Sequence, residues 1–403
     1  MNPRILITGA NFGNKGAQSM LFTTVSEIRK RFPNAEIFFE HTDSESIKSL
    51  GFNFDEIFFN RGFIGVNNGV LITRKFRNSW GSVDDSIKIF PTLDLIVDVS
   101  GFSLGSNWGI SAPIYYTNII RIAKQFEIPV ILMPQSFGPF DFREHQTEID
   151  ALIREFLSYP VKIFAREKDG YESLLKYGLK NVVWHPDLVL SSKNLDPSEI
   201  FTKTKIFYIP QVENKNSVGI LPNMRSFDHG NPFQTFQIYF QLIEFLLDEG
   251  KEIYLFRHSF EDLEACTWLK SMFEDDSRVK IWNNDFSCFE YDEVCQQFEF
   301  LIVGRFHGVV HAYRHGIPCI ILGWAVKYQE LAEQIFQTKY IFDITKPDCD
   351  IEKIFDSIRD MENNLELNRR MILDRVGQIR KYSTCFEVMN DTIEKSMKRK
   401  LSA

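Results

Sequence analysis

The sequence predicts an α/β protein of two Rossmann-like domains facing one another across a cleft. Three observations carry this expectation. Strand-length apolar runs alternate with amphipathic helical stretches, the alternation breaks over residues 191–216, and it restarts at Ser217. Such alternation implies βαβ units and parallel sheets covered by helices on both faces. The run from Leu93 to Val99 is nearly continuous in apolar residues, as expected of a strand buried on both sides.

Taken in order, Arg4–Thr8 reads as the first strand and Gly9–Gly16 as a Gly-rich loop. A helix follows over 17–32, with Leu21, Val25 and Ile28 on one face and Pro33-Asn34 ending it. Glu36–Glu40 is the next strand. After Leu93–Val99 come helix 111–126, strand 129–134, helix 143–157, strand 161–165, helix 168–177 and strand 181–184. Polar, Pro-containing sequence over 191–216 reads as an interdomain connection. Then follow strand Ser217–Leu221, helix Phe233–Leu247, strand Lys251–Phe256, helix 260–273, strand 278–282, helix 289–297 and strand 299–303. A helix starting near Phe306, strand Pro318–Leu322, helix 326–335 and strand 339–343 lead into a long helical C-terminus over 350–399. The domains are thus 1–200 and 201–380, closed by a terminal helix over 381–403, an arrangement that resembles the GT-B type.

Composition narrows the class. The chain has 403 residues, 44% hydrophobic and 25% charged, as in soluble globular proteins. Its 38 Phe fall in strand-like runs such as Ile37-Phe38-Phe39 and read as core filling. A net charge of −8 argues against nucleic-acid binding, which needs a broad basic surface, but permits a local basic pocket. The six Cys show no C-x-x-C pair or zinc spacing and read as reduced thiols of a cytoplasmic protein. No run reaches the roughly 20 residues needed to span a bilayer. The basic tail Lys395–Lys400 reads as a solvated, frayed helix end. A weak attraction to anionic lipid is the sharper reading, leaving peripheral membrane contact open.

Several motifs sit where strands end, which is where ligands bind in doubly wound sheets. Gly9-Ala10-Asn11-Phe12-Gly13-Asn14-Lys15-Gly16 matches neither nucleotide fingerprint, so it is either a tight turn or a site presenting Asn11, Asn14 and Lys15. Asp98, ending an apolar strand, could act as a base, hold a sugar hydroxyl, or cap the following turn. Gln135 and Ser136 lie in the rigid loop Pro134–Phe140, where aromatic and polar groups together suit a sugar. Arg166 could bind an anion or pair with Glu167, and Asp187 could fix its turn.

In the second half, Arg225 closes the first strand, and Gly304-Arg305-Phe306-His307-Gly308 ends a strand and opens a helix. Arg305 can grip an oxyanion bidentately while the helix start, including Gly308, supplies N–H donors. His307 can transfer a proton near neutral pH. His307, His311 and His315 recur at helical spacing, but no acidic residue shares their stripe and no H-E-x-x-H occurs, so no metal is expected.

Together these residues resemble the polysaccharide pyruvyl transferase family over about Ile5 to Leu331. The resemblance rests on the Gly9–Gly16 loop, Pro134–Pro139, Arg166-Glu167, Pro186-Asp187, Arg225, Arg305-x-His307, and Gly316-Ile317-Pro318 leading to Trp324-x-x-Lys327-Tyr328. It implies a GT-B-like enzyme that moves the pyruvyl group of phosphoenolpyruvate onto a sugar of a surface polysaccharide or its lipid-linked precursor. The product is a cyclic ketal, phosphate leaves, and no cofactor is needed. Carried over, Arg305 binds the donor and His307 is the general acid. Arg225, Arg166 and Gly308 join the donor side, with Asn11, Asn14, Lys15, Asp98, Gln135 and Ser136 on the acceptor side. Two other readings use the same features: a glycosyltransferase acting on a nucleotide sugar, and a non-catalytic carbohydrate-binding protein of the same pathway.

Overall fold

The computed structural model describes residues 2–41, 50–58, 64–67, 70–73, 88–193 and 195–402. In the first half, β1 (Arg4–Thr8) lies between β2 (Glu36–His41), flanked by β3 (Asp55–Phe58), and a strand from the far side of the sheet. A separate antiparallel hairpin pairs β4 (Ile64–Asn67) with β5 (Val70–Thr73). That far-side neighbour of β1 is β6 (Leu95–Asp98). Beyond it, β7 (Phe102–Leu104) pairs only with β8 (Val130–Phe137), and β9 (Lys162–Ala165) and β10 (Val182–Trp184) complete the parallel sheet.

The second sheet repeats this plan. Here β11 (Ser217–Leu221) neighbours β12 (Glu252–Phe256), which is flanked by β13 (Val279–Trp282). On its other side lie β14 (Leu301–Val303), β15 (Cys319–Gly323) and β16 (Ile341–Asp343). Strand order reverses at β1/β6 and again at β11/β14, where Thr8 pairs with Asp98 and Leu221 with Val303. The crevice outside such a reversal is the ligand position of doubly wound sheets. This fold has two of them.

Local chemistry explains the element ends. Asn14 accepts from the Gly16 and Ala17 amides and so opens the helix Lys15–Arg31. Asn231 does the same before Pro232, and Ser287 with Glu290 forms a capping box. The predicted C-terminal helix is instead three: Ile351–Asn363, Leu365–Tyr382 and Cys385–Ser402. At the first break the Asn364 amide turns back onto the Asp360 carbonyl; Ser383-Thr384 make the second. The last helix crosses to the first half, where Lys400 pairs with Asp94 at 2.8 Å and Arg31 with Glu394 at 2.6 Å. The basic tail expected to fray is therefore helical to Ser402 and tied down. Among the described residues, no helix is long and apolar enough to cross a membrane.

The halves are packed into one another rather than merely apposed. Phe12, Phe22, Phe52 and Phe54 of the first half meet Phe201 and Phe207 of the connection and Phe289 of the second, ring to ring, at 4.9–6.4 Å. One continuous core of buried side chains contains Ile7, Leu21, Val303 and Val309 together. The helix Lys15–Arg31 is the wedge. Ser19 hydroxyl meets His311 Nε2 at 2.7 Å, His311 Nδ1 meets Asp292 at 2.5 Å, and the Gln18 side chain accepts from the Cys288 amide at 2.8 Å.

Candidate active site

Both switch points open into one cavity of roughly 530 Å³. The first half lines it with Gly9, Asn11, Asn14, Ser100, Ser103 and Arg166; the second with Asn223, Arg225, His258, Arg305, His307 and Lys327. Tyr328 hydroxyl and the Asn223 amide both donate to the Gly304 carbonyl, at 2.8 and 2.7 Å, which fixes the turn before His307. At Gly304 a Cβ would sit 2.8 Å from Asn223 Cβ, so the turn is too tight for a side chain.

His307 stands between the domains. Its Nε2 lies 3.6 Å from Asp187, an ion-pair separation longer than a hydrogen bond, and has no hydrogen-bond partner. Burial pushes the imidazole below its ordinary pKa despite Asp187, so it rests neutral at pH 7. Burial alone would raise Asp187, but the Arg166 guanidinium and the Val189 amide, with the imidazole whenever it is protonated, hold it well below the usual carboxylate range. Arg166 is itself fully engaged. It bonds Asp187 at 3.1 Å, Glu167 at 2.9 Å and Ser136 at 2.8 Å, and lies over the Phe306 ring.

The floor under His307 is Gly16, at the start of the wedge helix. A Cβ there would fall 2.3 Å from His307 Cγ and Nδ1. Gly16→Ala is therefore expected to tilt the imidazole and cut turnover about 100-fold, since displacements near 1 Å cost that much. Unchanged circular dichroism beside unchanged turnover would count against His307 acting in the reaction.

The expected anion-binding arginines are all met by acids. Arg305 bonds Asp262 at 2.6 and 2.9 Å and Glu261 at 2.5 Å; burial opposes its charge, but those carboxylates outweigh it and push its pKa up. Arg225 is paired with Asp228 and Glu261, both at 2.9 Å. Two other features offer positive potential. The helix Phe306–Arg314 has no side-chain cap at its start, so that end, which reaches the cavity through Phe306 and His307, is electropositive; Gly308, expected on the donor side, is buried and does not line the cavity. Lys327 has no ion pair among the described residues, and its ammonium sits 5.3–5.9 Å from the ring centres of Phe102, Phe306, Trp324 and Tyr328. Desolvation among those rings, aided by Arg166, pushes its pKa down to about 7.

The structure distributes the remaining sequence-predicted residues unevenly. Asn11 and Asn14 line the cavity, though the Asn14 oxygen is spent on the helix cap. Lys15 does not line it; it is buried against Asp285 at 2.8 Å. Asp98 and Gln135 are fully buried beneath the cavity, where Asp98 accepts from Thr8, Ser100 and Gln135, and Tyr116 donates to Gln135. Ser136 faces a neighbouring chamber. Among the described residues, no cluster of His, Cys, Asp or Glu is arranged to hold a metal ion.

Sequence reasoning missed two residues. Lys327 stood only in a motif, with no sign of its aromatic collar. His258 lies two residues past the end of β12, lines the cavity and is 1% exposed, yet neither ring nitrogen has a partner; burial drives its pKa far down, so it is a neutral donor and acceptor. Unpaired buried polar atoms are rare enough to suggest a ligand or a water there.

The family model for polysaccharide pyruvyl transferases matches residues 14–325, and the chain belongs to that transferase family. No curated protein matches the sequence. Similar solved structures include UDP-GlcNAc 2-epimerase from Neisseria meningitidis bound to UDP-GlcNAc, at 10% identity and TM-score 0.56, covering 97% of this chain and all of that one. Anabaena HepE with UDP and glucose aligns at 12% identity and TM-score 0.54, over 99% and 100% of the two chains. A putative UDP-N-acetylglucosamine 2-epimerase from Listeria monocytogenes gives 10% and 0.54, over 92% and 91%. These likenesses establish the GT-B fold.

Proposed function

We propose that the protein transfers the pyruvyl group of phosphoenolpyruvate to a sugar of a cell-surface polysaccharide or of its lipid-linked precursor, closing a cyclic ketal and releasing phosphate. The observation that carries this is the juxtaposition of an unpaired ammonium, an uncapped helix start and a buried imidazole at one point of the cleft. A donor with a carboxylate and a phosphate needs cationic and N–H partners. Lys327, the start of Phe306–Arg314 and the outer edge of Arg305 supply them. The donor's charge beside His307 raises the imidazole pKa and draws in a proton, producing the acid that chemistry at carbon requires.

His307 gives that proton to the methylene carbon, and positive charge develops on the neighbouring carbon. A sugar hydroxyl adds there and passes its proton to the now neutral His307. A second hydroxyl then displaces phosphate, and its proton leaves with the phosphate. Asn11, Ser100, Ser103 and neutral His258 face the same space and can orient the two hydroxyls. Phosphate release from phosphoenolpyruvate, measured against galactosyl, mannosyl and glucosaminyl acceptors with the acceptor's mass gain, tests the reading. Consumption of a nucleotide sugar in place of phosphoenolpyruvate would overturn it.

A further inference from the structure

Beside the main cavity lies a second chamber of roughly 230 Å³, lined by Phe102, Phe137, Pro139, Trp324 and Val326 with Glu167 and Asp169 on its polar side. The two spaces share Phe102, Trp324 and Lys327 in their linings, so they adjoin at a common wall. That wall is rigid: Trp324 is stacked on His229 at 4.1 Å, and Phe102 meets Trp108 edge-on at 5.4 Å. The chamber is smaller than the ~300–1,000 Å³ of sites that hold whole drug-sized ligands. It suits one ring.

The charges of the two spaces are arranged differently. In the main cavity Arg166, Arg225 and Arg305 are each matched by acids, which leaves Lys327 and the start of the Phe306–Arg314 helix as its cationic features. Apart from Lys327 at the junction, the chamber's charged side chains are Glu167 and Asp169. One Glu167 oxygen is taken by Ser136 and Arg166. Asp169 is exposed, and its backbone amide donates to Glu330 at 3.0 Å. A lipid diphosphate or a uronate would meet those carboxylates unfavourably. A neutral sugar would donate hydroxyl hydrogen bonds to them and lay its C–H face on the aromatic wall.

We propose that this chamber holds a second, uncharged sugar unit of the acceptor, so that the protein recognises a disaccharide or longer glycan and not a single ring. The proposal deepens the transferase reading and rests on it for the word acceptor. Val326 lines the chamber but not the main cavity, and is 58% exposed, so Val326→Trp fills the space without disturbing the core. The test is calorimetric titration, without donor, of methyl β-lactoside, methyl β-cellobioside, a mannobioside and a uronate-containing disaccharide against their monosaccharide glycosides. At least one neutral disaccharide is expected to bind about tenfold more tightly than its monosaccharide. The uronate gains nothing, and Val326→Trp removes the gain while leaving phosphoenolpyruvate binding unchanged. No length dependence in any pair, or a gain that survives Val326→Trp, overturns the chamber. If the length dependence and its loss hold while phosphate is never released from phosphoenolpyruvate, the pyruvyl-transfer reading falls and the sugar chamber stands.

Discussion

Truncating His307 to alanine is expected to slow phosphate release from phosphoenolpyruvate by about 10²- to 10⁴-fold, the usual contribution of a positioned general acid. Phosphoenolpyruvate binding should survive, because Lys327 and the start of the Phe306–Arg314 helix remain. The fold should survive too: Asp187 keeps Arg166 at 3.1 Å and the Val189 amide at 2.8 Å, so removing the imidazole leaves no unpaired buried charge. Circular dichroism, a titration with phosphoenolpyruvate and a phosphate-release assay separate the three claims. Near-wild-type release by His307→Ala would remove the acid from the mechanism. A companion observation concerns protons. Because burial keeps His307 neutral in the free protein, donor binding should take up protons, which calorimetry in buffers of different ionisation enthalpy can detect.

The second large effect belongs to Lys327. Losing a charge-assisted contact of about 1.5–3 kcal/mol should raise KM for phosphoenolpyruvate roughly 10- to 100-fold in Lys327→Met, with a smaller change in kcat. The lowered pKa gives this a pH signature. With a value of about 7, the ammonium is charged below that pH and is lost above it, so donor affinity should weaken as pH rises from about 7. Phosphate's own second ionisation, near about 6, is complete by then and would not produce this fall. Lys327→Met should bind weakly and with a shallower pH profile over the same range, keeping only the slope that proton uptake at His307 supplies; a slope as steep as wild type would assign the fall to another group. The same depression has a consequence for folding. Between about 7 and the ordinary 10.5 the unfolded chain binds more protons than the folded one, so this residue's contribution makes stability rise with pH across that window.

Much of the architecture was legible because the signals are local. Strand Ser217–Leu221 and helix 326–335 end where the sequence places them, since apolar runs and helical periodicity depend on near neighbours. The exceptions turn on distant contacts. β8 runs on through Pro134 to Phe137, where a rigid loop was expected; the proline falls at a register shift between Leu132 and Gln135, one of the few places a strand tolerates it. The C-terminal helix breaks at Asn364 and Ser383, neither a Gly nor a Pro, because the last segment must cross to the first sheet.

At the site, the sequence placed Arg305 and His307 together because two residues on one turn cannot separate. It could not show that Asp262 and Glu261, some 43 residues earlier, would occupy Arg305, nor that Asp98 and Gln135 would satisfy one another out of reach of the cavity. Lys327 and His258 draw their character from what surrounds them in space. No spacing rule encodes an aromatic collar.

The wedge helix has a further meaning for how such proteins can diversify. It is rooted in one sheet, yet it supplies the floor of the imidazole and the hydroxyl facing His311 in the other half. A hybrid assembled from halves of two homologues would set a foreign helix against both histidines and a foreign set of phenylalanines against Phe289. Substrate range is therefore altered more readily by loop replacement around the chamber than by shuffling of halves, and the chain behaves as one heritable unit.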